Sequence, residues 1–160
     1  MPKLLVFAVC EKIIVDDSGN ATLITLLNEI HIALPTDGTV LPPDALAPKE
    51  WAVFAMWAVE QEDFGHDFVQ EMEMSFEDGT IFKKQSLPFH VKPDVRVAVN
   101  RANIIGFPIG KQGSFTVTVW LRGDGTNIDR DKHSYPVFVV HKAASVTASQ
   151  LSGLAGVRRL

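Results

Sequence analysis

The 160-residue sequence predicts an all-β chain, an antiparallel β-sandwich of about eight strands. Apolar residues alternate with a period of two in most segments, and Val, Ile, Thr and Phe recur between clusters of Gly, Pro, Asp and Asn. No stretch of helical length sustains a period of 3.6. Short strands with turn signals between them are the pattern of immunoglobulin-like and C2-like sandwiches. Residues 1–142 are expected to form a single domain and residues 143–160 a flexible tail.

Residues 3 to 15 form the first strand. Leu4–Cys10 has the outline of a short export signal ending at a lipidated cysteine. However, no small residue stands directly before Cys10, and Glu11-Lys12 and a second apolar stretch follow at once. Asp16–Asn20 turns the chain into a second strand from Ala21 to Ile32, whose alternation runs through Ile24, Leu26, Ile30 and Ile32. The proline-rich stretch from Pro35 to Pro48 is a connection that crosses between sheets or caps an open end. Trp51 to Glu60, Leu4 to Cys10 and Tyr135 to Lys142 are apolar on both faces, which implies central strands whose outer face is covered by a loop, a tail or a second subunit.

Phe68 to Glu77 sets Phe68, Met72, Met74 and Phe76 against Glu71, Glu73 and Glu77, so one side is wet. Asp78-Gly79 suits a two-residue hairpin turn, and Thr80 to Val91 returns as partner, with Phe76 opposite Ile81 and Glu73 opposite Lys84. Val95 to Ile105 supplies another strand. From Ser114 to Arg122, Phe115, Val117, Val119 and Leu121 oppose Thr116, Thr118 and Arg122. In the tail, Leu151, Leu154, Val157 and Leu160 have a helical spacing that Gly153 and Gly156 weaken by about 1 kcal/mol each.

Composition narrows the function. Apolar residues make up 46% and charged residues 21% of the chain, ordinary globular usage. Fifteen Lys and Arg against nineteen Asp and Glu give a net charge of −4 with no basic run, which disfavours a nucleic-acid partner. Cys10 is the only cysteine, so nothing calls for an oxidising compartment. No window reaches the roughly 20 apolar residues of a membrane helix, and the expected address is the cytoplasm. Asn20-Ala21-Thr22 has the spacing of a glycosylation acceptor, read as accidental without export.

Phe7-Ala8-Val9-Cys10-Glu11, the turn Asp17-Ser18-Gly19-Asn20, Leu23–Leu27 and Trp51–Ala55 together resemble a functionally uncharacterised family of small bacterial proteins. Ile104–Ile109 and Gly113, leading into a strand, are also similar. The resemblance spans roughly residues 4 to 140 and implies a β-sandwich from a bacterium or phage. It transfers no activity and no catalytic residue.

Several groups of residues carry possible chemistry. Gly106–Lys111 is one residue short of a phosphate-cradling loop and leads into a strand where that loop needs a helix, so a glycine-rich connection is expected. The loop from Gly123 to Asp131 gathers Asp124, Asn127, Asp129 and Asp131, candidate oxygen ligands for Ca2+ if Asp16, Asp17 or Asp44 lies at the same end. Arg130 and Lys132 among them favour a solvated hairpin loop instead.

His31, His66, His90, His133 and His141 show no paired metal-ligand spacing. Cys10 reads as a small core residue and Glu71 with Glu73 as salt-bridging surface carboxylates. Trp51, Trp57 and Trp120 read as core, the alternative being an aromatic ligand platform. No catalytic residue, cofactor site or nucleophile motif emerges.

The expectation is a non-enzymatic binding or assembly module that meets a protein partner or self-associates as a homodimer, with no nucleic-acid or membrane partner. The alternative is a C2-like Ca2+-dependent module using the 123–131 loop, and a third reading is a hydrolase working in a cleft between loops.

Overall fold

In the computed structural model, which describes residues 1–35, 40–123 and 131–143, the strands are β1 (Lys3–Val15), β2 (Ala21–Leu26), β3 (Glu29–Leu34), β4 (Leu46–Ala58), β5 (Asp67–Phe76), β6 (Ile81–His90), β7 (Val97–Pro108), β8 (Gly113–Gly123) and β9 (His133–Ala143). They build two sheets, a four-stranded first sheet in the order β2-β1-β4-β7 and a five-stranded second sheet in the order β3-β9-β8-β5-β6. The fold class is the expected β-sandwich. The tail expected beyond residue 143 lies outside the described residues.

One expected strand proves to be two. The alternation from Ala21 to Ile32 is broken at Leu27, which is buried in the core and donates its N–H to the Val9 carbonyl at 2.8 Å. Just before it, Thr25 takes a positive φ of 51°. Just after it, the Asn28 carbonyl accepts from the Phe138 N–H at 2.9 Å, and its side-chain oxygen accepts from the Tyr135 hydroxyl at 2.8 Å. β2 therefore stays beside β1 while β3 joins the opposite sheet, and it joins it parallel to β9, correcting a purely antiparallel expectation. Ile24 and Leu26 face outward while Ile30 and Ile32 pack on the core, yet all four keep the same parity in the sequence, so the pattern alone does not reveal the change of sheet.

The β5–β6 hairpin is right in its body and shifted at its tip. Glu73 faces Lys84 as expected, but Ile81 faces Ser75 rather than Phe76. The turn closes with the Gly79 N–H on the Phe76 carbonyl and the Phe76 N–H on the Thr80 carbonyl, and only Gly79 takes the positive φ, 80°. This is a longer loop than the two-residue form, and a bulge at Phe82 absorbs the extra residue and restores the register. Phe82 turns inward and packs edge-on against Phe76 and Phe115.

Between the sheets lie Val9, Trp51, Val53, Ala55, Trp57, Met72, Met74, Phe107, Phe115, Val117, Val119, Val137 and Val139. Full burial of each large side chain contributes about 1.5–3 kcal/mol. Trp51, Phe107 and Phe115 meet in edge-to-face pairs at one end, with Trp51–Phe107 centroids 5.3 Å apart. At the opposite end Trp57 donates its indole N–H to Gln70 Oε1 at 2.8 Å, and Asn100 Nδ2 donates to the same oxygen at 3.0 Å. That buried link ties β4 and β7 to β5 and satisfies the polar atoms placed in the core. Trp51 and Trp57 are thus core residues, as expected. Trp120 stands on the outer side of the second sheet under the Lys132 ammonium, 4.6 Å from its ring.

Candidate functional site

The two ends of the sandwich decide which candidates can meet. Lys3 pairs with Ala58, Trp57 reaches Gln70, and Phe68 pairs with Gly123, so the start of β1 and the approach to the 124–130 loop share one end. β1 finishes at the other end. Asp16 and Asp17 therefore lie in a turn at the end opposite Gly123. Asp44 lies at the same end, since the Ala45 carbonyl accepts from the Ile109 N–H just beyond β7. The condition for a shared cation site is not met by any of these three residues.

Of the loop ligands, Asp124, Asn127 and Asp129 lie outside the described residues, and Asp131 takes a positive φ of 58° just before β9. Among the described residues no three His, Cys, Asp or Glu side chains are grouped to hold a metal ion. Asp16 is occupied locally: its carboxylate accepts the Ser18 and Asn20 backbone N–H groups at 2.9 and 2.8 Å and the Asn20 amide at 2.9 Å. The Asn20 side chain and backbone bonds hold its pKa below the usual carboxylate value.

The Gly106–Lys111 connection is structural. The Gly106 carbonyl accepts the Trp51 indole N–H at 3.1 Å, and a Cβ at Gly110 would meet the Pro42 carbonyl oxygen at 2.2 Å, so only glycine fits there. Lys111 pins the β5–β6 turn: its ammonium donates to Asp78 Oδ2 at 2.7 Å and Thr80 Oγ1 at 3.0 Å and sits over the Phe76 ring. Lys111 and the Thr80 groups hold Asp78 far below the ordinary carboxylate range.

Most of the remaining ionisable candidates have local partners, and the His133 ring lies edge-on to that of Trp57. His31 lies 2.9 Å from Glu29, His90 Nδ1 lies 2.8 Å from Asp67, and His141 Nε2 lies 2.7 Å from the Ile109 carbonyl. Cys10 is fully buried, and that burial pushes its thiol up, which opposes a nucleophilic role. Glu71 is bound by Arg122 at 2.9 Å and by the Ser86 hydroxyl, and Glu73 by Lys84 at 2.7 Å. A shallow groove of about 410 Å³ lies across β1, β4 and β7, bordered by Lys12, Glu50, Asn103 and Ile105. At its margin Glu11 is paired with Lys49, which lowers the Glu11 pKa.

What the sequence reading did not locate is the outer side of the first sheet. Side chains paired across strands share a face, and Val9, Trp51, Val53 and Trp57 face the core. Their alternates Val6, Ala8, Cys10, Ala52, Phe54 and Met56 therefore point outward, continued by Ile24 and Leu26 on β2 and by Val97, Val99, Arg101, Asn103 and Ile105 on β7. The middle of this side is buried, Phe54 to 2% exposure, as strands with two apolar faces require. Towards both edges it is open: Leu26 is 50% and Ile105 80% exposed, with Ile24, Val97 and Val99 also in solvent. The signal that was available is the two-sided apolar pattern of Leu4–Cys10 and Trp51–Glu60; strand order was needed to show that they are neighbours.

Compared with known protein families and with curated proteins, the chain matches none.

Proposed function

We propose that this chain is a non-enzymatic assembly module that joins a second copy of itself through the outer side of its first sheet. The observation that carries the reading is the exposed Val97, Val99 and Ile105, set with Arg101 and Asn103 along one margin of a sheet side whose middle is apolar and buried. The outward carboxylates of the second sheet, by contrast, are consumed in pairs with Arg122 and Lys84, which supports a module over a hydrolase. The resemblance of Phe7–Glu11 and its companion segments to small bacterial proteins, with a single buried cysteine, supports a bacterial cytoplasmic setting. A calcium-dependent reading loses Asp16, Asp17 and Asp44 to the far end of the sandwich.

Sedimentation velocity over a concentration series tests the proposal. The unmodified chain is expected to approach the mass of a dimer as concentration rises, and Val99→Lys with Ile105→Lys to keep the mass of one chain. A single-chain mass for the unmodified protein at every concentration would refute it.

A further inference from the structure

The four strands at the sheet edges are not alike. A free edge offers unpaired N–H and C=O groups to any other strand, and proteins blunt it by shortness, lysine, proline or bulges. β2 and β3 are six residues each, and β6 carries Lys83, Lys84, the Phe82 bulge and Pro88. β7 has none of these devices. It is 12 residues long, meets Pro only at its last residue, and bears a single charge, Arg101. From Glu50↔Ile105 to Ala58↔Val97 it pairs with β4 without a break in register, and among the described residues no strand lies on its other side.

Backbone parity shows what that edge offers. Val59 N–H donates to the Arg96 carbonyl in the same register that pairs Trp57 with Ala98 and Ala55 with Asn100. Even-numbered residues of β7 thus direct their backbone groups to β4, and Val97, Val99, Arg101, Asn103 and Ile105 direct theirs to the open edge. Side chains of these same five residues are the exposed ones of β7, all on the outer side.

We propose that β7 pairs antiparallel with β7 of a second copy, about a two-fold axis at Ala102, joining two first sheets into one continuous sheet. This rests on the assembly reading above and narrows its interface to the β7 margin of that side. In this register Val99 faces Ile105 of the second copy and Arg101 faces Asn103, and the symmetry repeats both pairs, so apolar meets apolar and the guanidinium meets an amide. Each pair exchanges two backbone hydrogen bonds. Moving the axis to Arg101 would set two guanidinium groups directly opposite each other, which is destabilising. A two-fold pairing also closes, since it consumes the one long unguarded edge of each copy.

Asn103→Pro tests the edge without altering the outer apolar side chains, because the N–H it removes points away from β4. The expected result is a folded chain, with unchanged circular dichroism, that sediments as a single copy where the unmodified chain is a dimer. Should proline disturb the strand, Asn103→Lys supplies the same test through edge charge. For the register, mild oxidation of mixed Arg101→Cys and Asn103→Cys proteins should give a crosslinked heterodimer in higher yield than either protein alone. A dimer that persists in both Asn103 variants would overturn edge pairing while leaving the assembly reading standing; a crosslink yield equal in all three samples would overturn the Ala102 axis.

Discussion

The outer sides of the two sheets have been put to different uses. On the second sheet, Glu71, Glu73, Lys84, Arg122, Thr118 and Ser134 form a ladder of cross-strand pairs, among which Trp120, Ile81 and Phe138 are large apolar exceptions, Phe138 51% exposed. On the first, Ala8, Cys10, Ala52 and Phe54 are buried and apolar residues continue outward to both edges. Both sheets contribute apolar inner faces to one core, so the core does not explain the difference. A sheet side turned only to water gains nothing from Phe or Ile, whereas a side that is covered does. The comparison teaches that the second layer of hydrophobic pattern, not the first, points to the surface that meets something else.

The comparison breaks most readily at Phe54. Its side chain is as buried on the outer side as Trp51 is in the core, and truncation should cost about 3–5 kcal/mol. Thr118→Ala, at an outward position of the second sheet, should fall within about 0.5 kcal/mol of the unmodified protein. Urea unfolding of the two variants measures both. Equal costs would mean that the two outer sides are energetically alike, and the contrast drawn from exposure would fail.

Much of this architecture was legible in the sequence, because alternation over five or more residues reports which side chains share a face. The wet sides of β5 and β8, the Glu73–Lys84 pair and the core placement of Trp51 and Trp57 all follow from it. Three features were not legible. The change of sheet at Leu27 hides because Ile24, Leu26, Ile30 and Ile32 keep one parity while the face they present switches from outward to inward. The Phe82 bulge hides because a one-residue slip at a hairpin tip is compensated within the strand. The open edge of β7 hides because strand order depends on pairings between residues dozens of positions apart, such as Trp57 with Ala98 and Lys3 with Ala58. The acidic loop had the opposite fault: Asp16, Asp17 and Asp44 looked available by composition, and only the direction of β1 and the Ala45–Ile109 contact show that they are at the wrong end.

A smaller effect should appear in alkali, again from the first sheet. Burial raises the Cys10 thiol pKa, and the same cause raises that of Tyr135, which packs against Phe7. In the unfolded chain the thiol ionises from about pH 8.5. Above that value the folded state holds more protons than the unfolded one, so stability is fully present below it and declines as pH rises. Cys10→Ala should flatten the decline between about pH 8.5 and the tyrosine range. Chemical unfolding at a series of pH values reads the slope; a slope unchanged by Cys10→Ala would show that the thiol ionises as easily in the fold as outside it, and that this side of the sheet is wet.

The smallest expected effect belongs to the second sheet. Glu73 and Lys84 face each other across β5 and β6, with carboxylate and ammonium 2.7 Å apart, and the lysine side chain is well exposed. Solvent screens such a pair, and ordering two long side chains offsets part of the attraction. A double-mutant cycle with Glu73→Ala and Lys84→Ala should give a coupling of about 0.2–1 kcal/mol. That coupling should shrink as ionic strength rises from about 0.01 M to 1 M, because the Debye length falls from roughly 30 Å to 3 Å. A coupling above about 2 kcal/mol that ignores salt would place the pair in a low-dielectric setting. The ladder would then have to be a covered surface as well, and the asymmetry between the two sheets would lie in the kind of partner each receives rather than in whether it receives one.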